Sequence, residues 1–201
     1  MIALLSAVLM AGAAPAAAHP PAATQPPAPA ALPATAELPT PERRQELLFD
    51  AARMGRTDLI APLAKTGADV NGYDRRGFTP LILAAYAGQA GTVDALIAAG
   101  ADACKPSLSD GNTALMGVAF KGNDAIAERL LKAGCDVNAR NKAGQTALMM
   151  AALFGRTQQV EWLLAAGADA DVTDTEGRTA RSVAQAQGND GVLAALPAAS
   201  R

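Results

Sequence analysis

Three series of glycines, each spaced by 33 or 34 residues and all in register, constrain this chain of 201 residues more than any other feature. Gly77, Gly111, Gly144 and Gly177 lie 34, 33 and 33 residues apart, and each has threonine two places later, at Thr79, Thr113, Thr146 and Thr179. A second series heads the tripeptides Gly67-Ala68-Asp69, Gly100-Ala101-Asp102, Gly134-Cys135-Asp136 and Gly167-Ala168-Asp169. The third is Gly55, Gly88, Gly122, Gly155 and Gly188. Self-similarity at this period marks a stacked array of short units, each burying against its neighbours a face that it cannot bury alone.

Each unit has a mechanical reading. Threonine is a residue type that caps a helix N-terminus, Pro80 suits a first turn, and Leu81, Leu115 and Leu148 stand four places before Ala85, Ala119 and Ala152 on one helix face. The third-series glycine supplies the positive φ that ends this first helix. A second helix follows, seen as VDALIAAG, AERLLKAG and VEWLLAAG, and an Asp-rich turn leads outward to the next unit. Aromatic residues make up only 3% of the chain, so the core must come from Ala, Leu, Val and Met, which favours thin, closely approaching helices.

The run GFTPLILAA from Gly77 to Ala85, with Gly88 and the later Gly100-Ala101-Asp102, resembles the ankyrin repeat, and GADVN from Gly67 to Asn71 is similar to that family's hairpin signature. The resemblance covers about residues 42–196 and implies an all-α solenoid of helix-turn-helix units with β-hairpin-like fingers. Units fall at about 42–73, 74–107, 108–140, 141–173 and 174–196. The first lacks its opening hairpin and the last is short, as the ends of a stacked array require. Where the family has histidine after Pro-Leu this chain has Ile82, Met116, Met149 and Ser182, so packing must replace the usual Thr–His hydrogen bonding. Proline is kept only at Pro80, an extra residue near Ser107 lengthens one finger, and Gly91 weakens the start of a second helix.

Residues 1–18, MIALLSAVLMAGAAPAAA, read as a secretory signal peptide cleaved after Ala18, although no Lys or Arg precedes the apolar run. The run is too short to span a bilayer and no cysteine follows it to accept a lipid. Residues 19–41 are almost entirely Pro, Ala and Thr, a linker composition. The expected placement is a bacterial periplasm or the medium, or the cytoplasm if the leader is not processed, with residues 197–201 as a tail.

Chemistry is hard to find. The one histidine, His19, falls beside the cleavage site, which leaves the repeats without imidazole for general-base or metal work. The aspartates at 69, 102, 136 and 169 recur identically and read as turn residues rather than paired catalytic carboxylates. Neither a cofactor nor an active site is expected, and a formal net charge of -2 without a basic cluster argues against nucleic acid. Cys104 aligns with Asn71 and Asn138, and Cys135 with Ala101 and Ala168. Adding that offset to the spacing between units exceeds the roughly 7 Å limit for a bridge, so a buried Cys135 and a partly exposed Cys104 thiol are expected.

What remains is recognition of another protein by a monomer. The resemblance implies variable contact positions at the finger tips and along the groove side of the first helices. Tyr73 and Phe78 fall on a finger, and Tyr86, Phe120 and Phe154 at the ends of successive first helices, leaving Phe49 and Trp162 as framework. With Arg53, Arg75, Arg76, Lys121 and Arg140 around them, these aromatics form the expected contact surface, since interfaces concentrate energy in aromatics and Arg. A narrower alternative is an inhibitor or protective accessory of an envelope enzyme.

Overall fold

The computed structural model describes residues 39–198. The expected leader, His19, the linker up to residue 38 and the tail residues 199–201 lie outside the described residues. Ten α-helices follow one another in five pairs: α1 (Pro41–Met54) with α2 (Thr57–Lys65), α3 (Pro80–Tyr86) with α4 (Ala90–Ala98), α5 (Ala114–Lys121) with α6 (Asp124–Lys132), α7 (Ala147–Leu153) with α8 (Thr157–Ala165), and α9 (Ala180–Gln187) with α10 (Asp190–Ala195). The first helices α1, α3, α5, α7 and α9 pack side by side in one layer, and the second helices stack as a parallel layer behind them.

Local chemistry sets each start and stop. The hydroxyls of Thr79, Thr113, Thr146 and Thr179 accept the backbone N–H three residues on, as N-caps should. Thr40 does the same for Arg43, with Pro41 in the first turn, so the array opens with the Thr-Pro pair also found at Thr79-Pro80. Pro39, Thr40 and Pro41, which composition assigns to the linker, therefore begin the described fold. At the other end of the first helices, Gly55, Gly122 and Gly188 are left-handed C-caps.

Stacking explains the loss of the family's histidine. Ile82, Met116 and Met149 are fully buried between neighbouring first helices, whereas Ser182, on the last described first helix, is exposed. Its hydroxyl accepts the Thr179 N–H at 2.9 Å and completes a capping box. The inward set expected from the sequence, Leu81, Leu115 and Leu148 with Ala85, Ala119 and Ala152, is buried throughout. Phe49 joins this core and Trp162 is half-buried on α8.

The fingers are turns: among the described residues there is no strand. Asp74, Asn141 and Asp174 each start a finger by accepting two backbone N–H groups, from the residues two and four places on. Successive fingers then join through single main-chain bonds, Leu108 N–H to Gly77 C=O at 2.9 Å, Lys142 to Asp110 at 2.9 Å and Thr175 to Ala143 at 3.0 Å. In the lengthened finger Ser107 takes the starting position, and its hydroxyl donates to Asp110, which reaches back from inside the loop. The repeating aspartates are turn residues, as expected: Asp69, Asp102, Asp136 and Asp169 each accept the N–H two places on.

The cysteines overturn the expectation of two thiols. Cys104 and Cys135 form a disulfide with their Cα atoms 5.2 Å apart. The neighbouring junctions show why. Asn71 donates from its amide to Gly100 C=O at 3.1 Å and accepts from Asp102 N–H at 2.7 Å, and Asn138 treats Gly167 and Asp169 in the same way at 3.2 and 2.8 Å. Units are staggered so that the residue four places past the glycine of one Gly-Ala-Asp faces the Gly-Ala-Asp of the next. The offset therefore subtracts from the stacking distance where the sequence argument added it. The bridge stands in for the amide clamp at the junction between the second and third units.

Burial works against ionisation of Asp110 and Asp174, yet both carboxyls are held below the ordinary aspartate value of 3.8. Donors outweigh the burial: Ser107 and the Asn112 N–H at Asp110, and the Arg178 N–H and guanidinium with the Glu176 N–H at Asp174. A folded value below the unfolded one gives stabilisation that is complete above the unfolded value and lost as pH falls through the folded one. Asp174→Asn is thus expected to lower the thermal midpoint at neutral pH, with the gap to the native chain closing as pH drops below about 4. An equal gap at both pH values would exclude this. For the bridge, Cys104→Ala with Cys135→Ala should cost about 2–4 kcal/mol in denaturant melts. Cys104→Asn with Cys135→Ala should recover about 1 kcal/mol or more of that by rebuilding the amide clamp on Gly134 and Asp136.

Candidate functional site

The two layers present different surfaces. On the second helices Arg129 grips the Asp94 carboxylate of the preceding unit at 2.9 Å to each oxygen, and Lys132 pairs with Glu128 at 2.6 Å. Such exposed pairs keep a face soluble and contribute little else. Among the described residues, the large apolar side chains left exposed all belong to the other side: Met54 (67%), Leu108 (57%), Phe120 (42%) and Phe154 (38%) lie on first helices, directly after one, or on a finger. Met54 and Phe154 share one repeat position, immediately before Gly55 and Gly155, which is the signal by which Met54 could have been found.

Five of the expected contact residues, Arg53 among them, converge. Arg76 and Phe78 from a finger, Tyr86 at the end of α3 and Lys121 at the end of α5 line one hollow of about 380 Å³, together with Arg53 of α1 and Leu83. The rings of Phe78 and Tyr86 are 6.2 Å apart, and the Arg76 guanidinium sits 4.9 Å from the Phe78 centroid, within cation–π range. Gly117 makes room for Tyr86, because a Cβ there would fall 2.3 Å from the ring. Burial, with the Asp110 charge adding to it, pushes the Tyr86 phenol above its ordinary value, so it is a neutral hydroxyl.

A second hollow of about 650 Å³ adjoins the first and shares Arg53 and Arg76 with it. Tyr73 and Arg75 lie here among carboxylates, and Arg53 bonds Asp50 at 3.0 Å and Asp74 at 2.7 Å. Tyr73 also braces the fingers, its hydroxyl donating to Pro106 C=O at 3.1 Å while Lys105 sits 4.6 Å from its ring centroid. Arg75 is almost fully exposed, 3.7 Å from Glu46. The remaining candidates lie apart from both hollows. Phe120 and Phe154 meet edge to face at 4.7 Å as a separate exposed pair. Arg140 donates to Gly144 C=O at 3.1 Å and to Thr173 C=O, tying two fingers together. The expected contact surface is thus two hollows, one aromatic pair and two residues that also brace the fingers.

Comparison with known proteins agrees with this architecture. The family described as "Ankyrin repeats (3 copies)" matches residues 33–107 and 103–174, well over half of the chain. The chain is 38% identical over 104 residues to the rat (Rattus norvegicus) protein named "Ankyrin repeat and SAM domain-containing protein 6", a match spanning 51% of this chain and 12% of that protein. It is 35% identical over 102 residues to "Ankyrin repeat and KH domain-containing protein mask-1" of Caenorhabditis elegans, 50% of this chain and 4% of that one. With "Neurogenic locus notch homolog protein 1" of Xenopus laevis it shares 35% identity over 94 residues, 47% of this chain and 4% of the relative. The match therefore spans a small part of each relative and concerns the repeats rather than those whole proteins. Five stacked helix pairs, Thr-capped first helices and a family match across residues 33–174 make this chain a member of the ankyrin-repeat family.

Proposed function

We propose that this chain is a non-catalytic binding module, exported to the periplasm or medium of a bacterium, that holds a partner protein against its finger tips and the concave face of its first helices. Ankyrin repeats are interaction modules, and the observation that carries the reading here is the one-sided exposure of Met54, Leu108, Phe120 and Phe154. Exposed apolar side chains gathered on one face mark an interaction site, and aromatics carry much of the energy when such a face is covered. Export draws support from the leader-like sequence of residues 1–18 and from the Cys104–Cys135 bridge, since disulfides persist in oxidising compartments.

Replacing Phe120 and Phe154 together with Ser should leave the thermal midpoint near that of the native chain and weaken capture of the partner by at least about tenfold. Undiminished capture would remove this face from the interface. Sequencing the protein from the cell envelope or medium should give a mature N-terminus at His19. Recovery of only the unprocessed chain from the cytosol would overturn the placement.

A further inference from the structure

The finger and first-helix side of the first three units is divided by charge. Around the hollow beside Tyr86 stand three cations, Arg53, Arg76 and Lys121, and no carboxylate lines it. The adjoining hollow carries four carboxylates, Glu42, Glu46, Asp50 and Asp74. Arg53 spends its charge on two of them. Arg76 and Lys121 do not: among the described residues neither has a carboxylate partner, and each lies instead near an aromatic face, at 4.9 Å from Phe78 and 5.7 Å from Phe120. Asp110, whose charge reaches Tyr86, is already engaged by Ser107, Ser109 and Asn112.

Two unneutralised cations flanking an apolar floor favour a ligand that is anionic on both sides of an apolar centre, and they repel a basic one. The two hollows share Arg53 and Arg76 as a common wall and together run along three successive units. Such a length suits an extended chain better than a compact molecule. The carboxylates of the adjoining hollow confine the acidic part of such a chain to the stretch between Arg76 and Lys121.

From this we infer that the groove binds an extended acidic segment of the partner protein, whose large apolar side chain seats on Phe78 and Tyr86 between carboxylates that pair with Arg76 and Lys121. The inference rests on the proposed reading of the domain as a protein-binding module and gives that partner its chemistry. Seating the apolar side chain removes the Phe78 and Tyr86 faces from water, while the flanking pairs supply direction and rate.

The test uses the full disulfide-bonded chain and three fluorescein-labelled peptides, each with a central Phe flanked on both sides by Glu, by Lys or by Ser. Fluorescence anisotropy should show the Glu peptide binding at least about tenfold more tightly than the Lys peptide, and less tightly as salt is added. Arg76→Glu with Lys121→Glu should reverse that order. Both positions are exposed, and a thermal melt confirms that the variant folds. Equal binding of the peptides, no binding of the Glu peptide up to about 1 mM, or an unchanged order in the double variant would overturn the inference. So would full displacement of the Glu peptide by phenylacetate, which would assign the hollow to a small anion. Capture of the natural partner that survives Arg76→Glu with Lys121→Glu but is lost with Phe120→Ser and Phe154→Ser would leave the binding module standing and reject the acidic segment alone.

Discussion

The stagger between neighbouring units is the constraint from which the rest of the structure follows. It brings the residue four places past each Gly-Ala-Asp glycine against the next unit's Gly-Ala-Asp, where Asn71 and Asn138 hold two backbone groups apiece and Cys104 holds Cys135 covalently. The same displacement operates at the helix ends. Arg156 donates to the carbonyls of Phe120 and Lys121 in the preceding unit, and Asn189 to those of Ala152 and Leu153, so a side chain from one unit satisfies the orphan carbonyls of another. Third-series glycine is needed beneath these side chains for two reasons: φ is +78° at Gly122, and a Cβ there would lie 2.7 Å from the Arg156 guanidinium.

Most of the fold could be read from sequence because each unit states its instructions locally. Threonine caps, C-terminal glycines and Leu/Ala spacing depend on residues a few places away, and all act as their chemistry predicts. The disulfide was not legible for the opposite reason. Its feasibility turns on the direction of the stagger, a property of two units packed together. The clue was present in the alignment of Cys104 with Asn71 and Asn138, but only the amide bonds of those asparagines reveal which way the offset runs. The candidate contact residues were legible by their place in the fold and not by what their side chains do there. Tyr73, Arg75, Arg76, Phe78, Tyr86, Phe120, Lys121 and Phe154 all reach the finger or first-helix side, yet Tyr73 and Arg140 also brace neighbouring fingers through carbonyls that no side-chain pattern displays.

Substitutions for the family's histidine show how one position answers to its place in the array. Inside the stack the site has neighbours on both sides, and Ile82, Met116 and Met149 fill it with apolar volume. At the end it faces water, and Ser182 turns to its own helix to complete a cap. Arg181 beside it closes the terminus in the same spirit, donating to the Leu196 and Pro197 carbonyls. In the last described unit, contacts that the earlier units make with a neighbour are thus replaced by contacts within the unit.

The covalent link falls at the base of the one irregular finger, and that coincidence has a physical basis. In a quasi-one-dimensional array stability is the sum of unit terms and nearest-neighbour terms, so a weak junction is felt by everything that spans it. The finger from Cys104 to Asn112 has an extra residue, and Ser107 replaces the Asp or Asn that starts the others, so its turn is held by one carboxylate reaching back from the loop. Tyr86 packs across this same junction onto Gly117, and Lys121 completes the cationic hollow from the far side of it. A groove built from α1, α3 and α5 keeps its shape only if the second and third units hold their spacing. The bridge fixes that spacing where the hydrogen-bonded finger is least regular.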